Sequence, residues 1–151
     1  MTDNMKRNIY RLLTASILLL TTSCGGFDIN GHLDGMWHLR TVENLSDNTV
    51  TNVKEQCIYY SVLQDLITVR RLGTDEQGNS YLQKIGRFVH TNDSLVFHKF
   101  VIFQNESISA TPEELGKFYL DGITSRYEIK CLEKDKMILR SNQRELIFKK
   151  F

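Results

Sequence analysis

From Met36 onward, apolar side chains recur with a period of two rather than 3.6, in runs rich in β-branched and aromatic residues. Eight runs predict eight strands: Met36–Glu43, Gln56–Val62, Leu66–Leu72, Tyr81–His90, Ser94–Phe103, Arg126–Leu132, Lys136–Ser141 and Arg144–Lys150. Short polar stretches separate most of them. Residues opposed across a hairpin must share a face, so each proposed turn can be tested by the pairs it creates. With Gln64-Asp65 as the turn, Val62 faces Ile67 and Tyr60 faces Val69, while Ser61, Thr68, Tyr59 and Arg70 fall on the other side. With Asn92-Asp93 as the turn, Phe88 opposes Phe97, Leu82 opposes Phe103, Val89 opposes Val96 and Ile85 opposes Phe100. Both faces of that pair carry apolar residues, and Gly86 marks a candidate bulge that switches faces partway along. In the last three runs Tyr127, Ile129, Cys131, Met137, Leu139, Leu146 and Phe148 share one face, with Lys130, Arg140, Glu145 and Lys149 on the other.

One helix interrupts this pattern. Thr111-Pro112-Glu113-Glu114 places an N-cap, a proline at the first helical position and a glutamate at the third, which is a capping box. Leu115 and Phe118 give it an apolar face and Gly122 can end it, about two turns later. The predicted class is all-β: an eight-stranded antiparallel up-and-down barrel with one short helix between strands five and six. Closure removes the sheet edges that invite aggregation, and eight strands enclose either packed side chains or one small ligand.

The chain upstream of Met36 reads differently. Lys6, Arg7 and Arg11 precede an apolar run of nine residues, Leu12–Leu20, too short for the roughly 20 residues that span a bilayer. Small residues then lead into Cys24 at Thr21-Thr22-Ser23-Cys24-Gly25. This resembles the lipobox of bacterial lipoproteins, with Thr21 where an aliphatic residue is usual. The resemblance implies cleavage before Cys24 and lipid attachment to it, and anchoring is stable once two or more acyl chains are present. The expected organisation is a signal peptide over 1–23, a lipidated tether over 24–34 and a barrel over 35–151. Losing the leader takes the formal charge from +1 to −1, with no basic surplus for nucleic-acid binding.

Gly35-Met36-Trp37, at the start of the first strand, resembles the Gly-x-Trp signature of the lipocalin (calycin) superfamily. With the leader, the tether and the final Leu146–Phe151 strand, the chain is similar to small lipocalin-like bacterial lipoproteins. The resemblance implies that Trp37 plugs the narrow end of the barrel and that Gly35 lets the chain bend into the strand. It also implies a basic residue stacked on the indole, to be found among Lys149, Lys150 and Arg144. Two departures stand out: no Thr-Asp-Tyr turn is present, and the helix lies inside the strand series rather than after it.

Catalytic and metal signals are sparse. There is no Gly-x-Ser-x-Gly elbow, His-Glu-x-x-His or phosphate-binding glycine loop, and the chain is expected not to be an enzyme. His32, His38, His90 and His98 lack zinc-ligand spacing, so neither metal nor cofactor is expected. Cys57 and Cys131 fall on strands across the barrel from each other, which argues against a disulfide. The expected function is a small apolar or amphipathic ligand held in the barrel by Tyr60, Val62, Ile67, Val69, Phe88, Phe97, Tyr127, Ile129, Leu139 and Phe148. The alternative is a filled barrel that binds a protein or envelope partner through its rim loops. Either would be held by lipid at the envelope of a Gram-negative bacterium, on the outer membrane, with no nucleic-acid partner.

Overall fold

The computed structural model describes residues 29–73, 82–102 and 105–151. The leader, Cys24 and Tyr81 lie outside that range, as does Phe103 with its expected pairing to Leu82. Ten strands are present among the described residues: β1 (Gly35–Asn44), β2 (Thr49–Asn52), β3 (Ile58–Leu63), β4 (Leu66–Arg71), β5 (Leu82–His90), β6 (Ser94–Ile102), β7 (Asn105–Ser109), β8 (Ser125–Leu132), β9 (Lys136–Arg140) and β10 (Arg144–Lys150). Eight of them pair antiparallel in the ring β1-β3-β4-β5-β6-β8-β9-β10, and β10 returns to β1 to close it. The closed eight-stranded barrel expected from periodicity is therefore the fold.

β2 and β7 are additions that the alternation did not reveal. β3 pairs with Gly35–His38 of β1, and β2 takes the rest of the same edge, Thr41–Asn44. In the same way β8 pairs with Ser94–Phe97 of β6, and β7 pairs further along with Val101 and Ile102. Every residue of β2 and β7 is exposed. A period-two signal arises only where one face is buried, so these strands carry none.

The expected turn pairs hold across β3 and β4, where Val62 opposes Ile67 and Tyr60 opposes Val69. They hold through β9 and β10, where Leu146 opposes Leu139 and Phe148 opposes Met137. Two bulges correct the remainder. Phe88 opposes Phe97 and Val89 opposes Val96 as expected, but Lys99 and Phe100 of β6 together face Gly86, so Ile85 opposes Val101 rather than Phe100. Lys99 takes a left-handed φ of 54° there, and the extra residue brings Phe97 and Phe100 onto the same inner face. In β8 the register slips between Ile129 and Cys131, which sets Cys131 against Ile138 and Leu132 against Met137. Cys131 therefore leaves the inner face to which the simple alternation assigned it. Cys57 and Cys131 are both free thiols.

The helix α1 (Pro112–Gly116) begins as its sequence indicates. Thr111 Oγ1 accepts from the Glu114 amide at 3.2 Å, and the Glu114 carboxylate accepts from the Thr111 amide at 2.8 Å. Thr111→Ala should lower stability by about 1 kcal/mol, read as a shift in the urea midpoint without a change in m-value. The end differs from expectation. α1 stops at Gly116 rather than running to Gly122, because the next turn folds back on it: the Leu120 amide bonds the Leu115 carbonyl at 3.2 Å and the Tyr119 amide bonds the Gly116 carbonyl at 2.9 Å. This is a Schellman closure, with Tyr119 at a φ of 64° in the position usually given to glycine.

Candidate functional site

One end of the barrel is shut by the motif that opens β1. Trp37 is fully buried, and its indole Nε1 donates to the Leu33 carbonyl at 2.8 Å from the short 3₁₀ turn Gly31–Leu33. Lys150 lies over the indole with Nζ 4.9 Å from the ring centroid, and also donates to the His32 carbonyl at 2.9 Å. Of the three basic residues that the signature left open, Lys150 holds the position. Gly35 has a φ of +112°, and a Cβ there would stand 3.0 Å from the Lys150 side chain. The glycine thus serves both the backbone bend and the passage of the lysine over the ring.

Inside, the ten residues expected to line a cavity occupy one core. Tyr60, Val62, Ile67, Val69, Phe88, Phe97, Tyr127, Leu139 and Phe148 are buried in it, and Ile129 packs against its margin. Their rings pack on one another: Tyr60 lies 4.9 Å from Phe148 and 6.1 Å from Phe97, and Phe97 lies 5.6 Å from Tyr127. Phe88 borders a shallow surface depression of about 390 Å³ beside Ile29, Gln64 and His90 at the closed end.

The opposite end is stoppered by the segment around α1. Leu115, Phe118 and Leu120 are buried in the same core, so they fill the barrel from above. Two inward phenols hold the stopper. Tyr60 donates to the Phe118 carbonyl at 2.6 Å and Tyr127 to the Tyr119 carbonyl at 3.4 Å. Burial pushes both phenols well above the usual tyrosine range, so they act as neutral donors at every physiological pH. A third tie comes from Lys84, an inward residue of β5 that sequence pattern alone did not mark. It is buried, and Nζ lies 2.6 Å from Glu114 Oε1. The Glu114 carboxyl is held below the ordinary glutamate range, first by the Lys84 hydrogen bond and next by the Thr111 amide. A depressed carboxylate contributes stability that is present above its unfolded pKa and lost as pH falls through the folded one. The stopper should therefore loosen on acidification below about pH 4.5, and Glu114→Gln should flatten that part of the stability profile measured by urea unfolding.

Above the stopper the inner wall turns polar. Val42 is the last buried inward residue of β1, and its partner on β2 is Thr51. One layer higher Asn44 lies between Thr49 of β2 and Arg144 of β10. With Ser46 and Asp47 of the β1–β2 turn, Asn142 and Gln143 of the β9–β10 turn, and Tyr119, these residues enclose a cleft of about 530 Å³. Tyr119 forms one wall, its hydroxyl 3.0 Å from the Gln56 side-chain amide. Arg144 Nε lies 2.8 Å from Asp121 Oδ1, yet too far off line for a hydrogen bond, so both atoms keep unused bonding capacity. None of the cleft residues belonged to the cavity read from alternation. Apart from Val42 and Tyr119 they are polar turn or edge residues, whose sequence signal is that of any solvated loop. Among the described residues no cluster of His, Cys, Asp and Glu is arranged to hold a metal ion.

The chain resembles the crystal structure of a lipocalin-like protein from Bacteroides uniformis, with a TM-score of 0.62 and 17% identity over 80% of this chain and 100% of that one. It also resembles an uncharacterized protein from Bacteroides eggerthii, with a TM-score of 0.55 and 17% identity over 79% and 99% of the two chains. At such identities the likeness is one of fold. No curated protein matches. The profile of a lipocalin-like domain matches residues 18–151, nearly the whole chain, and the chain belongs to that family.

Proposed function

We propose that the protein is a lipid-anchored, non-enzymatic binding module of the bacterial envelope that works through the mouth of a filled barrel. The observation that carries this reading is the polar cleft standing above an interior packed with Tyr60, Phe97, Phe100, Phe118, Tyr127 and Phe148. An apolar ligand inside the barrel would have to displace Phe118 and Leu120 and break the phenol and Lys84 ties, whereas a ligand at the rim displaces nothing. With Cys24 lipidated as expected, the anchor would precede Ile29, a residue of the closed end, by five residues. That end also exposes Ile29, Leu63, Leu66 and Val89, an apolar surface suited to lie against a bilayer. The cleft would then face away from the membrane.

Two measurements test the reading. Intact mass of the protein from its native membrane should show acyl chains on Cys24, and Cys24→Ala should release it to the soluble fraction. An unmodified Cys24 would sink the anchor. N-phenyl-1-naphthylamine should show no saturable fluorescence gain with the folded protein, and saturable binding at that probe's usual micromolar range would restore an internal apolar site.

A further inference from the structure

We infer that the rim cleft is a carbohydrate-binding site, with Tyr119 as the platform on which a sugar ring stacks. The inference rests on the cleft being the binding site and adds the chemical class of its ligand. The lining decides that class. Asn44, Thr49, Thr51, Asn142 and Gln143 present amides and hydroxyls from two strands and one turn, with Val42 the sole aliphatic residue in the lining. Burying such groups under an apolar ligand would leave each without a partner, at a cost of about 1–3 kcal/mol per group. A polyhydroxylated ligand offers each of them a donor or an acceptor instead. Charge does not favour an anion, because Arg144 is already opposed by Asp121 and Asp47 adds a carboxylate to the lining. The volume of about 530 Å³ lies within the range of small-molecule sites and suits a short oligosaccharide segment.

Tyr119 supplies the second, independent observation. The C′ position of a Schellman closure asks for a left-handed residue, and glycine meets that demand without a Cβ penalty. This chain places an aromatic residue there instead, at a φ of 64°. Its neighbours Phe118 and Leu120 are buried in the core, while Tyr119 packs against the core's margin and also lines the cleft. Core packing and the Gln56 hydrogen bond hold the ring at the cleft wall despite the left-handed backbone, which gives the cleft a fixed aromatic face. An aromatic face among amides is suited to sugars: the ring covers the C–H face of a pyranose and the amides take its hydroxyls.

The test uses the full-length protein in a polyoxyethylene detergent, which carries no sugar. Maltohexaose, mannohexaose, xylohexaose and chitohexaose are titrated by calorimetry, beside laurate and a neutral Gly-Ser-Asn peptide. At least one hexasaccharide should bind saturably. Tyr119→Gly should weaken it about tenfold or more with the fold kept by circular dichroism, since the relieved left-handed penalty offsets part of the packing and the Gln56 hydrogen bond lost with the ring. Asn142→Ala, at an exposed turn, should weaken it without loss of fold. Failure of all four sugars to bind overturns the ligand class, and so does preferential binding of laurate or the peptide. Sugar binding that survives both substitutions puts the site elsewhere, and overturns the rim reading as well. A fall in the thermal midpoint of Tyr119→Gly with affinity kept assigns the ring to packing and also overturns the proposal.

Discussion

Trp37→Ala is expected to destabilise the domain by about 3–5 kcal/mol. Three separate contributions disappear together. The indole is fully buried beneath Leu33, itself fully buried, so its removal leaves a cavity bounded by a turn with little else to rest on. The Leu33 carbonyl loses the Nε1 donor that holds the turn across the barrel end. Lys150 loses the ring under its ammonium, a contact worth about 0.5–2 kcal/mol at a part-buried site. Urea unfolding followed by far-ultraviolet circular dichroism measures the sum. Lys150→Met reads the ammonium's share, the ring contact together with the His32 carbonyl bond, because its aliphatic chain still covers the indole. A loss below 1 kcal/mol for Trp37→Ala would mean that the closed end does not depend on the plug.

Gly86→Ala should cost about 1–3 kcal/mol, an unusual amount for the addition of one methyl group. The φ at Gly86 is not in the left-handed region, so the reason is space alone. A Cβ built there would meet the Phe100 ring at 2.6, 2.7 and 3.0 Å. Phe100 is buried, and the β6 bulge holds it against the glycine backbone. Neither side can yield cheaply: β5 is paired on both edges, and the ring is enclosed by the core. Phe100→Leu in the same background should recover part of the loss, and a double-mutant cycle on thermal or urea midpoints reads the coupling. Additive effects would show that the two positions do not meet.

How far the fold was legible follows from where burial is one-sided. The ring strands have an inner and an outer face, so Tyr60, Val62, Ile67 and Val69 alternate visibly and their pairing could be worked out from the turn alone. Thr111, Pro112 and Glu114 named the helix start because capping is local chemistry. Bulges are another matter. Nothing near Lys130 signals that one extra residue will turn Cys131 outward, and Gly86 marked the level of the β6 irregularity but not which strand carries the additional residue. The site was the least legible part. The apolar inward residues that suggested a cavity are the same residues a filled core needs, and only the placement of Phe118 and Leu120 separates the two cases. Tyr119 gave no warning either, because its left-handed backbone depends on the Schellman closure around it.

The seam between β1 and β10 has a consequence for how the domain comes together in time. It joins Trp37 to Lys150 and Asn44 to Arg144, so the ring closes between segments a hundred residues or more apart in the chain. Every other pair in the ring except β1–β3 and β6–β8 is a local hairpin that can form as soon as its two strands exist. Closure must therefore come late and bear a large loop entropy, which puts this domain among the slow folders on the millisecond-to-second scale. Until then the apolar inner faces of β1 and β10 stay open. Phe148 and Lys150 are the residues whose arrival ends that exposure, the first by completing the aromatic core and the second by settling onto Trp37.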